Sequence, residues 1–279
     1  MSGRAQEALA TATAAIAAGG CDTPRLDAEL LLAHVLGVSR ERLYSARDLR
    51  LDAAAQRALC TAVKRRAQAR EPVAYITGRR AFRHLQLAVD SRALIPRPES
   101  ELLVEAALAL PARARVLDVG TGCGAVALAL VHERPDLMVS GSDVSREALA
   151  LARANARRLG LPARFLHADL LAGVHDEFDA LLANLPYVAP AQRRALAPEI
   201  TRHEPPGALF AGDDGLQKIA ALTAQLSRFS RLTLVALEVG DGQAEAVAAL
   251  VRGAGFSRTR IERDLAAINR VVIGEGRRA

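Results

Sequence analysis

An amide, a proline and an aromatic ring stand together at Asn184-Leu185-Pro186-Tyr187, directly after the apolar run Ala180–Ala183. A carboxamide oxygen accepts hydrogen bonds without carrying charge. Beside a backbone carbonyl, it can hold the two N–H groups of a planar nitrogen whose lone pair is delocalised and weakly nucleophilic. That grip orients the nitrogen and favours positive charge growing on it. Pro186 stiffens the segment, and Tyr187 offers a flat face to a planar group. The chemistry indicated is group transfer to an amide or aromatic amine nitrogen. Taken alone, the tetrapeptide also fits a plain proline loop after a strand.

A second segment could hold the group donor. Val116-Leu117-Asp118-Val119-Gly120-Thr121-Gly122-Cys123-Gly124 reads as a strand entering a glycine-rich turn and then a helix. Glycines permit close backbone approach to a ligand, and a helix start presents N–H groups. Gly120, Gly122 and Ala125 also satisfy the dinucleotide fingerprint G-x-G-x-x-G/A, so the turn alone is ambiguous. Asp118 separates the readings. Its negative charge suits a sulfonium or amino group, as in S-adenosylmethionine, and would repel a pyrophosphate. Asp143 falls 25 positions later at the end of the next apolar segment. An acidic side chain there can accept both hydroxyls of a ribose, from NAD as well as from S-adenosylmethionine. Asp169 and Leu170 follow a third strand and are weaker candidates for holding an adenine.

These residues need elements to carry them. Expected strands are Arg115–Val119, Met138–Asp143, Arg164–Ala168, Ala180–Ala183, Leu232–Glu238, Ser257–Glu262 and Arg270–Gly274. Expected helices include 99/100 to about 110, Ala125–Glu133, Arg146–Leu159 and Gly215–Ser227. Strands alternating with helices imply an α/β fold with a mostly parallel sheet covered on both faces. The link Arg263–Asn269 is too short for a helical crossover, so the last two strands should pair antiparallel. Residues 4–70 read as helices, with Leu26, Leu30 and Ala33 or Leu59, Val63 and Arg66 at helical spacing. Asp22-Thr23-Pro24 is a plausible helix start and Gly37 a stop. Glu71–Gly78 and Phe82–Val89 contain short alternating segments that suggest a hairpin. The expected organisation is a helical domain over 1–71, a hairpin linker over 72–98 and an α/β domain over 99–279.

The chain has 279 residues, of which 51% are apolar, ample for a large core. Residues 1–71 hold 11 basic and 8 acidic residues, residues 72–98 hold 5 and 1, and the rest 21 and 22, so the net +6 lies before Glu99. That asymmetry fits an acidic or nucleic-acid partner on the front side, and equally a coding bias toward Arg. Cys21, Cys60 and Cys123 show no metal or redox spacing, which argues against a disulfide scaffold or a structural zinc. No apolar run is long enough to span a bilayer. The stretch Ala8–Gly20, rich in Ala and Thr, reads as a first helix rather than a leader.

The tetrapeptide has the Asn-Pro-Pro-Tyr form of amino-methyltransferases, with Leu185 at the second place. Further segments join it: Glu71-Pro-Val-Ala-Tyr-Ile-Thr-Gly78 with Phe82, Leu94-Ile-Pro-Arg-Pro-Glu-Ser-Glu101, and His203-Glu-Pro205 with Ala208-Leu209. To these are added Glu238-Val-Gly240 with Gln243, and Asp264-Leu265 with Arg270-Val-Val272. In this order and spacing, the chain resembles over nearly its whole length the protein-glutamine methyltransferases of peptide chain release factors (the PrmC/HemK family). The resemblance implies a Rossmann-like class I methyltransferase domain with a seven-stranded, mostly parallel sheet, preceded by a small helical domain that grips the release factor. It implies methyl transfer from S-adenosylmethionine to the amide nitrogen of the glutamine in a Gly-Gly-Gln motif, in translation termination. By that matching Asp118, Gly120, Thr121, Gly122, Cys123, Gly124, Asp143, Asp169, Leu170 and Asn184 contact the cofactor. Asn184, Leu185, Pro186 and Tyr187 hold the glutamine, and Phe82 and the Arg97-Pro98-Glu99 segment lie near the pocket. A cytoplasmic monomer acting on class 1 release factors is expected, without membrane or direct nucleic-acid binding. Asn-Leu-Pro-Tyr is also the form seen in adenine dimethyltransferases of ribosomal RNA, so an RNA amine is the alternative substrate. A non-catalytic dinucleotide binder is the third reading.

Overall fold

The computed structural model describes residues 3–45 and 48–277. Contacts divide the chain into two units, Met1–Arg79 with Leu196–His203, and Arg80–Ala195 with Glu204–Ala279. The first unit contains α1 (Ala5–Ala18), α2 (Pro24–Leu36), α3 (Arg40–Ser45), α4 (Ala53–Ala67), α5 (Val73–Thr77) and, from the returning segment, α9 (Pro198–His203). A two-residue antiparallel pair, β1 (Gly3–Arg4) and β2 (Arg50–Leu51), closes its edge. Leu9, Ile16, Leu31, Leu32, Leu51 and Leu59 form its core.

α2 begins with Pro24 in its first turn and ends at Gly37, whose φ of 65° suits a glycine. Its inward face differs from the expected one. Leu26 and Leu30 are 39% and 38% exposed, whereas Asp27, Ala28, Glu29, Leu31 and Leu32 are buried. The two buried carboxylates are compensated. Asp27 accepts from Arg66 Nε at 2.6 Å, and Glu29 from Arg25 Nε at 2.6 Å and Arg40 Nε at 2.9 Å. Arg66 also donates to Glu199 at 2.6 Å, so one buried guanidinium joins α2, α4 and α9. Buried charges persist only when paired in this way. Glu71–Gly78 likewise departs from expectation. Pro72 O accepts from Tyr75 and Ile76 N–H, Gly78 caps the turn at φ 69°, and the segment is the short helix α5 rather than a strand. The hairpin is instead β3 (Arg79–Phe82) with β4 (Leu85–Ala88).

The second unit is built on a seven-stranded sheet of β5 (Arg115–Val119), β6 (Met138–Asp143), β7 (Arg164–His167), β8 (Ala180–Ala183), β9 (Leu234–Glu238), β10 (Phe256–Arg263) and β11 (Asn269–Arg277). Its order is β10-β11-β9-β8-β5-β6-β7. β5 pairs parallel with β6 and β8, β6 with β7, and β8 with β9. β11 is antiparallel to both β9 and β10, as the short link requires. α6 (Glu101–Ala107), α7 (Ala125–Glu133), α8 (Arg146–Leu159), α10 (Gln217–Thr223) and α11 (Ala244–Gly253) complete the unit. Before α6, Pro98–Ser100 forms a tight 3₁₀ turn, which delays the helix by a residue or two relative to the expected start.

β5 and β8 are buried at nearly every position, as strands covered on both faces must be. The chain runs from β5 outward to β7, then returns to the other side of β5 as β8. That reversal opens a crevice at the carboxyl ends of β5 and β8, the topological switch point where open α/β sheets bind ligands. Among the described residues no helix is long and apolar enough to cross a membrane.

Arg66→Ala should destabilise the first unit by about 3–5 kcal/mol, because it strands the buried Asp27 without its cation, while Glu199 keeps Arg70. Urea denaturation of both proteins checks this, and a change below about 1 kcal/mol would show that the cluster is not integral to the fold.

Candidate active site

A cavity of about 290 Å³ lies at the switch point, lined by the glycine turn, Asp118, Asp143, Asp169, Leu170, Asn184, Leu185, Pro186 and Ser100. Its size is at the lower end of small-molecule pockets, roughly 300 Å³ upward.

The turn after β5 is held by its own backbone. Gly120 and Thr121 N–H both donate to Ser142 O at 2.8 and 2.9 Å, and Gly124 N–H donates to Thr121 O at 2.8 Å. Gly122 N–H donates to Asp143 Oδ2 at 2.9 Å. These N–H groups are therefore engaged within the protein and do not form an open anion cradle. Gly120 has φ 73°, and a Cβ on it would lie 3.1 Å from Leu185 Cδ2; the turn and the tetrapeptide touch there. Gly124 lies outside the cavity lining. Its φ of 87° and its packing against Leu128 and Ala152 account for the glycine.

Asp118 is 2% exposed. Its Oδ2 accepts from Thr121 Oγ1 at 2.6 Å and Ala127 N–H at 3.3 Å. Burial pushes its carboxyl up to about 7, against the opposing pull of those two bonds. Burial also raises Asp143, which accepts from Gly122 and Ser145 N–H. Among the described residues, neither carboxylate forms an ion pair with a basic side chain. Two cavity carboxylates outside any ion pair fit a cationic ligand, as S-adenosylmethionine is, and disfavour a pyrophosphate beside them. Asp169 is more exposed and pairs with Lys218 Nζ at 3.5 Å. Leu170 sits at φ 54°, a left-handed conformation costing about 1–3 kcal/mol and typical of ligand clamps.

Asn184 follows β8. Its Nδ2 donates to Ser100 Oγ at 2.9 Å, and Ser100 Oγ donates to Glu238 Oε2 at 2.5 Å. Glu238 ends β9, is 1% exposed, and is pushed up to about 7 by burial. Tyr187 Oη donates to its other oxygen at 3.4 Å, and burial raises the phenol to about 12. Tyr187 O accepts from Gln243 Nε2 at 3.0 Å. Leu185 is 5% exposed and belongs to the core cluster under the sheet. The structure thus brings Asn184, Leu185 and Pro186 to the cavity wall, with Tyr187 behind them. Phe82 is buried at 2% and does not line the cavity; its ring packs in the interior, leaving no open face there.

Sequence reasoning gave no role to Ser100, Glu204 or Lys218, and placed Arg97 near the pocket through the family resemblance. Arg97 lines the cavity and donates to Glu204 at 2.5 Å, while Glu204 also accepts from Ile95 N–H at 3.2 Å. For Glu238 a signal did exist. It is a carboxylate closing an otherwise apolar strand, the same pattern that marked Asp118 and Asp143. Ser100 had no such signal, being one hydroxyl in a polar turn.

Residues 7–78 match the family description "PrmC N-terminal domain" and residues 97–205 match "Methyltransferase small domain". A release factor glutamine methyltransferase of Burkholderia pseudomallei is 43% identical over 257 residues, 88% of this chain and 90% of that protein. One from Cereibacter sphaeroides is 40% identical over 277 residues, 96% of this chain and 97% of that protein. One from Deinococcus radiodurans is 38% identical over 273 residues, 96% of each. Among solved structures, a methyltransferase from Pyrococcus furiosus superposes with TM-score 0.52 at 17% identity, covering 70% of this chain and 90% of that one. That likeness concerns the fold.

Leu185 has a packing role that its place in the tetrapeptide did not disclose. Leu185→Pro keeps a backbone carbonyl but removes side-chain volume from the core. It should cost about 1–3 kcal/mol of stability and leave turnover within a few-fold. Thermal melts and steady-state rates of the variant check this; a stable variant with lost turnover would assign the Leu side chain to the reaction instead.

Proposed function

We infer the reaction from one premise: the chain belongs to the family of release factor glutamine methyltransferases. It is an S-adenosylmethionine-dependent enzyme that methylates the side-chain amide nitrogen of a glutamine in peptide chain release factors. The glutamine proposed is that of the Gly-Gly-Gln motif. The observation that carries this reading is the placement of Asn184. Its amide lies on the wall of the cavity that holds Asp118 and Asp143, with its nitrogen turned to Ser100. Its oxygen is thereby left as an acceptor. The ribosomal RNA alternative rests on Leu185 and on the basic charge before Glu99, and the relatives that match nearly the full length favour the protein substrate.

The residues proposed to hold S-adenosylmethionine are Asp118, the Gly120–Cys123 turn, Asp143, Asp169 and Leu170. When bound, the cofactor supplies an electrophilic methyl group on a positively charged sulfur. Asp118 and Asp143 balance its positive charge and hold its hydroxyls. Asn184 Oδ1 and the Leu185 carbonyl each accept one N–H of the glutamine amide. They thereby orient its nitrogen and stabilise the charge that builds there before one proton is lost. Pro186 and Tyr187 restrict the loop so that the acceptors are in place beforehand. The helical unit is proposed to receive the release factor, and a cytoplasmic monomer without direct nucleic-acid contact suits that substrate.

Mass spectrometry of the Gly-Gly-Gln peptide from a release factor incubated with enzyme and S-adenosylmethionine should show one added methyl group on the glutamine. Methylation of RNA with none on the protein would overturn the proposal. Asn184→Ala should lower kcat by about 10²-fold or more, on the order of 3 kcal/mol, with cofactor affinity only modestly changed. A near-normal rate would remove Asn184 from its role.

Cofactor binding should also follow pH. With the Asp118 carboxyl near 7, the free protein holds that proton below neutrality, while a cation prefers the ionised form. Affinity therefore rises with pH up to about 7 and levels off above it. Binding at pH 6 should be about tenfold weaker than at pH 8 and should release up to one proton per cofactor bound. Calorimetry in buffers of different ionisation enthalpy measures that release. In Asp118→Asn the pH dependence should vanish, and its persistence would assign it to another group.

A further inference from the structure

The Asn184 amide can serve as an acceptor only if its oxygen, not its nitrogen, faces the nitrogen to be methylated. The two ends of a carboxamide have nearly the same shape, so something must choose between them. The protein holds a chain of polar groups suited to that task. Asn184 Nδ2 lies 2.9 Å from Ser100 Oγ, and Ser100 Oγ lies 2.5 Å from Glu238 Oε2. Ser100 and Glu238 are both buried, at 4% and 1% exposure.

We propose that Ser100 and Glu238 are positioning residues that fix the orientation of the Asn184 amide, with the ionised Glu238 carboxylate setting the direction of every hydrogen bond in the chain. This inference rests on the methyl-transfer reading given above.

An ionised carboxylate is acceptor-only. The single Ser100 hydroxyl hydrogen is drawn to it, because a charge-assisted bond outcompetes a neutral one. Ser100 Oγ then has only lone pairs left for Asn184, and only the Asn184 NH₂ can meet them. Rotating the amide would bring two oxygens face to face in a buried place, so Oδ1 is kept for the substrate. Protonation of Glu238 removes the directing charge. The carboxylic acid can then donate to Ser100 Oγ, whose own hydrogen is free to turn and donate to Asn184 Oδ1 in the flipped amide. The cavity would meet an NH₂ group that cannot accept the glutamine N–H.

The groups facing Glu238 come from three elements. Ser100 and Glu99 lie in the turn before α6, Tyr187 in the loop after β8, and Arg270 on β11. Ser100, Arg270 and Tyr187 favour the charged form, whereas burial and Glu99 oppose it. The balance places both forms within reach near neutrality, so the orientation of Asn184 responds to pH. With saturating cofactor, activity requires ionised Glu238 and is lost as pH falls.

The test measures kcat on a release factor at saturating S-adenosylmethionine across about pH 5.5–9, with cofactor affinity followed by calorimetry. Ser100→Ala should lose about 10- to 100-fold in kcat with cofactor affinity within about twofold, and Ser100→Thr should retain most activity. In an Asn184→Ala background, Ser100→Ala should cost less than about twofold further, since it acts through the residue already removed. Wild-type kcat should rise with pH through an apparent value near 7, and Glu238→Gln, which is nearly isosteric and serves if Ser100→Ala does not fold, should lack that rise. Near-normal kcat in Ser100→Ala, multiplicative losses in the double variant, or an unchanged acid limb in Glu238→Gln would each overturn the inference. Full activity in Asn184→Ala would overturn the reaction assignment instead, so the two failures are distinct.

Discussion

Everything at the site depends on how the turn after β5 uses its backbone N–H groups. Gly120 and Thr121 give theirs to Ser142 O on the neighbouring strand, and Gly122 gives its own to Asp143. A turn of the same glycine spacing could aim these groups at a phosphate. Here they are engaged, and beside them Asp118 is buried and Asp143 half-buried, neither in an ion pair among the described residues. The charge preference of the cavity is thus reversed relative to a dinucleotide site while the glycine pattern stays the same. That one difference selects a cation as the ligand, and the cation determines what chemistry the adjoining loop can perform.

Carboxylates at strand ends recur through the α/β unit: Asp118 closes to the end of β5, Asp143 ends β6 and Glu238 ends β9. Each stands where a buried strand opens toward the crevice, and burial raises all three. The fold therefore offers several anionic positions, and neighbours give them different work. Asp118 and Asp143 border the cavity, whereas Glu238 lies behind Ser100 and reaches the cavity only through hydrogen bonds. A parallel sheet with a reversal at β5 is what brings strand ends so far apart in sequence to one edge.

Much of this was legible in the sequence because strand–turn–helix alternation is a local pattern. The seven strands and the antiparallel final pair followed from periodicity and from one short link. The glycine turn, Asp118, Asp143 and Asn184 stood out because their residue types break apolar runs. What stayed hidden depends on tertiary partners. Leu26 and Leu30 have helical spacing but face outward, since Asp27 turns inward to Arg66 of α4 and Glu29 to Arg40 of α3 and Arg25 of its own helix. The segment Val73–Thr77 alternates like a strand, yet Pro72 O and Gly78 turn it into a helix. Phe82 carries a family resemblance but packs as core. Ser100 is ordinary as a residue type, and only its neighbours Asn184 and Glu238 give it meaning.

Leu185 shows how tertiary restraint can replace local stiffness. A proline at that place would limit the backbone by its ring. The loop is instead held at four points around it. Leu185 packs into the core against Gly120, Asn184 is tied to Ser100, the Tyr187 carbonyl to Gln243, and the Tyr187 hydroxyl to Glu238. Those restraints act on the residues on both sides of the substituted one, so the backbone carbonyl of Leu185 is positioned whatever its ring constraint. The second place of the tetrapeptide is then free to follow core packing, and its identity alone is a poor guide to whether the methylated nitrogen belongs to a protein or to a nucleobase.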